Sequence, residues 1–112
     1  MGKWYTKLAQ AMQELTAGTV DYTHIKEDVA DSSTKVLDPN SDRKYALFIN
    51  YSDEDIYMKI GGPAALVGRG IMLKAEGGSY EMSPRIGNLS TGVVRAIHDG
   101  AGAKTLLITE GE

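Results

Sequence analysis

The chain has 112 residues, 42% of them hydrophobic and 24% charged, with a net charge of −3. These values describe one ordinary globular domain able to bury a core, not a disordered chain. There is no cysteine, which excludes a disulfide framework, a thiolate nucleophile and a sulfur-ligated metal, and suits synthesis in a reducing cytoplasm.

Residues 3–17 carry Trp4, Leu8, Met12 and Leu15 at spacings that place them on one stripe of a helix. Tyr5 accompanies the stripe, Lys7, Gln10 and Glu14 fall away from it, and Gly18 supplies a stop. A helix this short needs a partner for its stripe, either its own β-domain or a neighbouring subunit. It reads as amphipathic, with no apolar signal sequence. No apolar run reaches the length of a membrane span, so no membrane partner is expected.

Residues 19–44 are polar and punctuated by turn chemistry at Asp31-Ser-Ser and Asp38-Pro-Asn-Ser-Asp42. They read as an extended arm or as short strands, with alternation at Val20 and Tyr22 and again at 34–37. From residue 45 the pattern becomes short strands with turns between them. Tyr45–Asn50 and Asp55–Ile60 read as a hairpin across a polar tip. Gly61–Gly70 is a glycine-rich loop without the G-K-[ST] of a phosphate site. Candidate strands follow at 71–74, 79–82, 92–97 and 104–109, the last two joined as a hairpin by the loop at 98–103.

This spacing predicts a mainly β fold: an antiparallel sandwich or small barrel of about six to eight short strands. An N-terminal helix (1–18) and the arm (19–44) would precede a compact β-domain (45–112). The predicted core is Leu47, Ile49, Ile56, Met58, Ile71, Leu73, Ile97 and Leu106.

Chemistry is sparse. The histidines, His24 and His98, have no metal-ligand spacing, and His98-Asp99 sits in a glycine-rich turn, where a solvated residue is expected. Asp38–Asp42 begins like a calcium loop but has Arg43 where glycine is required. Basic residues are scattered, with Arg43-Lys44 the only adjacent pair, so a nucleic-acid partner is not expected. The sequence therefore predicts no enzyme, no cofactor and no metal site. Six tyrosines against one phenylalanine suit wet interfaces. The candidate interface is Trp4, Tyr5, Leu8, Met12, Leu15, Tyr51 and Tyr57. A glycan site would have to use Tyr51, Asp53, Asp55 and Tyr57.

Ala46-Leu-Phe-Ile-Asn-Tyr-Ser-Asp-Glu-Asp-Ile-Tyr57, Gly70-Ile-Met-Leu73 and Gly78-Ser-Tyr-Glu81, followed by the closing segments Gly92–Ile97 and Lys104–Glu110, carry a pattern of their own. It resembles a family of small virion-associated proteins of tailed bacteriophages. The resemblance starts at Tyr45 and leaves residues 1–44 outside. It implies a compact β-sandwich that decorates or cements the capsid, or serves in the neck or tail. Its partners would be other virion proteins, major capsid or neck proteins among them, and further copies of itself within the particle.

Overall fold

The structure is a computed structural model that describes residues 20–112. The predicted helix, with Trp4, Tyr5, Leu8, Met12 and Leu15, lies outside the described residues.

Eight antiparallel strands form two sheets of four. The strands are β1 (Tyr22–Val29), β2 (Thr34–Leu37), β3 (Tyr45–Asn50), β4 (Ile56–Ile60), β5 (Ile71–Leu73), β6 (Ser79–Met82), β7 (Val94–His98) and β8 (Lys104–Gly111). The first sheet runs β1-β8-β3-β6 and the second β2-β7-β4-β5. The order has a simple origin. β1 pairs β8, β2 pairs β7, β3 pairs β6 and β4 pairs β5, as if the chain were one long hairpin bent between β4 and β5. Winding up that ribbon adds the β3–β8 and β4–β7 pairings.

Residues 22–29 and 34–37 are strands, the second alternative for the polar stretch. β1 pairs with β8 through all eight of its residues. Its lysine, histidine and acidic side chains disguise an edge strand, because only one of its faces needs to be apolar.

Two expectations are corrected. β3 and β4 are not a hairpin: β3 lies between β8 and β6, and β4 between β7 and β5. β7 and β8 likewise belong to different sheets. A short linker can bridge two sheets about 10 Å apart as easily as it can turn a hairpin. Among the described strands only β4 and β5 are consecutive and paired.

One apolar cluster draws on both sheets, with Val29, Phe48, Met82, Leu106 and Ile108 from the first and Val36, Ile56, Met58, Leu73 and Val94 from the second. Ile56, Met58, Leu73 and Leu106 are buried as predicted. The register of β3 is the reverse of the prediction: Ala46, Phe48 and Asn50 point inward, while Leu47 and Ile49 lie on the outer face, half-buried. Ile71 is only partly buried against the cluster. Ile97 is buried, yet it alternates with inward-facing Ala96 and His98 and so lies on the outer face of the second sheet.

Candidate interaction surfaces

Three buried polar side chains hold the connections, and all three are satisfied within the domain. Asn50, fully buried, donates to the carbonyls of Glu54 (2.7 Å) and Leu73 (2.9 Å) and accepts from the Ser52 hydroxyl (2.6 Å). It thereby ties the end of β3 to β5 in the opposite sheet and fixes the crossover at 51–55.

His98 is also fully buried, which corrects the expectation of a solvated turn residue. Its Nδ1 accepts from the Gly100 amide (3.0 Å), and its Nε2 faces the Gly102 carbonyl at 2.6 Å. Such a ring carries its proton on Nε2 and serves as a clamp on the 98–103 loop.

Arg43, missed by the sequence reading except as one half of a basic pair, has its side chain wholly buried. Its Nε donates to Glu110 at 2.7 Å, Nη1 to the carbonyls of Ser90 and Gly92 at 2.9 Å each, and Nη2 to that of Asp38 at 2.5 Å. The guanidinium fork thus joins the 38–43 turn, the 90–92 loop and β8.

The carboxylates of the 51–55 crossover are also occupied. Asp53 pairs with Lys104 at 2.7 Å, and that hydrogen bond holds its carboxyl below the usual range. Asp55 accepts from the Ala75 amide at 2.9 Å. Tyr51 and Tyr57 sit on opposite outer faces, because Asn50 points inward in the first sheet and Ile56 and Met58 point inward in the second. The structure does not bring the four glycan candidates together. Among the described residues no group of three or more metal-ligating side chains occurs.

What remains is surface. On the outer face of the first sheet, Ile49 lies opposite Leu107, and Leu47 opposite Thr109 and Glu81. The Tyr22 and Tyr45 rings meet edge to face at one end of this sheet, 5.7 Å apart. At the other end an open cleft of about 380 Å³ is lined by Ile49, Asn50, Tyr51, Ser52, Glu76 and Gly77.

On the outer face of the second sheet, Tyr57 lies directly between Ile97 on β7 and Met72 on β5. Met72 is 48% exposed on this edge strand, and the preceding loop exposes Leu66 and Val67. That loop is tied down: its Ala65 is buried and donates its amide to the Ser33 hydroxyl at 2.9 Å. The sequence signal for this surface was Leu66-Val67 and Met72 in a glycine-rich stretch with no chemistry to explain them.

Tyr45 also gives a pH test. Its hydroxyl donates to Glu81 at 2.5 Å, and burial together with that bond pushes its pKa up to about 12, from an ordinary 10.0. A raised folded value favours the protonated hydroxyl. Its contribution to stability is therefore complete below about pH 10 and disappears as pH rises toward 12. Thermal melts should show wild type above Tyr45→Phe at pH 8, with the gap closing over that alkaline window. A gap independent of pH would contradict this assignment.

Comparison with models of known families, with curated proteins and with solved structures finds no match.

Proposed function

We propose that the two sheets form a jelly-roll sandwich and that the protein is a non-catalytic structural component of a tailed-bacteriophage virion. Its place is on the capsid as a decoration or cement protein; a neck or tail position would use the same surface and differ in copy number. It is made in the bacterial cytoplasm and carried in the particle by contacts with other virion proteins and with further copies of itself.

The observation that carries this reading is the strand order, β1-β8-β3-β6 beside β2-β7-β4-β5. Eight-stranded double-sheet rolls recur in viral capsid and lectin domains. A fold by itself assigns no function, and the motif resemblance supplies the rest. The row Ile97–Tyr57–Met72 supports the particular contact, because it leaves apolar surface open at the β5 edge. A tyrosine flanked by apolar neighbours is a strong anchor for a partner protein.

The test mixes purified variants with particles lacking the protein and counts bound copies. Tyr57→Ala combined with Met72→Asp should weaken binding at least about tenfold, a loss of about 1.4 kcal/mol. Asp99→Ala, at an exposed turn, should bind normally. Wild-type occupancy by the double variant would remove the second sheet from the contact.

A further inference from the structure

Three cations stand in one row on the outer face of the second sheet. Arg95 on β7 lies opposite Lys35 on β2 and opposite Lys59 on β4. They share this face with Ile97 and Tyr57, because Ala96 and Met58 between them point inward and Thr34 pairs with Ala96. Neighbouring strands lie about 4.8 Å apart, so the three positions span only about 10 Å. Like charges directly opposite one another weaken a sheet, and the chain as a whole is acidic, with a net charge of −3. The row therefore runs against both the stability of the sheet and the charge balance of the chain.

Carboxylates of the domain do not neutralise it. Lys35 pairs with Asp38 at 2.7 Å, in a contact whose two side chains are well exposed. Among the described residues no ion pair holds Arg95 or Lys59. The Arg95 Nε is also buried without a hydrogen-bond partner, the one such side-chain atom among the described residues. A buried donor left unpaired is costly, and most such groups in folded proteins have a partner.

The surroundings shape the site. Ala65 is tied to Ser33, just ahead of β2, while Gly70 lies against the Met58 carbonyl of β4. The chain between them passes over β7, in keeping with the burial of Ile97 and of the Arg95 Nε. Two residues along the strands from Arg95 and Lys59, the row of Ile97, Tyr57 and Met72 continues the face with apolar surface.

This combination selects the ligand. A guanidinium matches a carboxylate as a planar fork, and two flanking ammonium groups hold further carboxylates as point charges. A nucleic acid needs a longer basic track than three residues on an acidic chain. The adjoining tyrosine and methionine call for an apolar side chain next to the acids, which a protein segment supplies.

We propose that Lys35, Arg95 and Lys59 receive the carboxylates of an acidic segment of a partner protein, with an apolar residue of that segment resting on Tyr57 and Met72. This rests on the reading of the second sheet as a contact surface and names the chemistry of what it contacts.

The test is a titration of the isotope-labelled full chain with capped hexaglutamate, followed by NMR. The Arg95 Nε–H signal, assigned by its loss in Arg95→Lys, should shift saturably, and added salt should weaken the binding. Hexaglutamine should leave the signal in place. Lys35→Gln combined with Lys59→Gln should weaken hexaglutamate binding at least about tenfold. Lys26→Gln combined with Lys44→Gln, the same change of charge on the first sheet and its margin, should leave it nearly unchanged. An Arg95 signal that stays in place at millimolar hexaglutamate overturns the proposal. So does one that responds to inorganic phosphate or to a DNA duplex and not to the peptide. The titration contains no particles, so its failure leaves the particle-binding assay free to succeed, whereas failure of that assay beside a positive titration removes the virion reading and keeps the carboxylate site.

Discussion

Phe48→Ala is expected to destabilise the domain by about 3–5 kcal/mol in urea denaturation, the usual cost of emptying a buried aromatic site. Phe48 is the only phenylalanine, fully buried at the centre of β3 between β8 and β6. A cavity there touches both sheets and cannot close by moving one loop. The neighbouring Leu47→Ala, on the outer face, should cost only about 1–2 kcal/mol, because part of its side chain stays in contact with water. The ordering of the two variants tests the β3 register. A larger loss at Leu47 than at Phe48 would show that the strand faces the other way.

Arg43→Met is expected to cost about as much, roughly 3–5 kcal/mol, for a different reason. The substitution preserves much of the volume but leaves Glu110 without its cation. The carbonyls of Asp38, Ser90 and Gly92 also lose a donor. Glu110 retains only the longer 3.3 Å bond from Asn40. The penalty is that of a carboxylate left with one long bond and three carbonyls deprived of their donor, larger than the net value of the bonds themselves. Adding Glu110→Gln to Arg43→Met should recover part of the loss, because the uncompensated charge is then gone. A near-neutral single variant, or a double variant no better than the single, would show that the guanidinium does not hold these loops together.

Much of this architecture was legible in the sequence, and the misreadings have physical causes. Turn residues bracketed the strands at 45–50, 71–73 and 79–82 closely, because glycine and the Asx residues are needed at the ends wherever the strands happen to pair. Pairing partners were not legible. The 51–55 and 98–103 connections look like hairpin tips, and only Asn50 and His98, buried polar groups that fix sheet crossings, reveal otherwise. Alternation in β3 offered two apolar faces. The outer one holds the larger aliphatics, Leu47 and Ile49; the inner one holds a small Ala46 and a polar Asn50 around Phe48. A reading that weighs hydrophobicity alone chooses the outer face.

The candidate surfaces were legible only in part. Tyr57 was named from tyrosine abundance; the structure places it between Met72 and Ile97 on the outer face of the second sheet. Tyr51 lies at the cleft of the other sheet, so the two tyrosines lie on different surfaces. Arg43 could not be recognised as buried from sequence, since its partners, three carbonyls and one carboxylate, come from three separate segments.

The central claim is that this two-sheet domain is a repeated structural part of a particle, working by contact. Its most direct test, on the proposed function, is quantitative mass spectrometry of virions assembled in a bacterial host that expresses the chain. The account predicts that the protein co-purifies with particles through a density gradient, in many copies per particle and in a multiple set by the symmetry of the site it covers. Its absence from purified particles, with the protein remaining free in the lysate, would contradict the account.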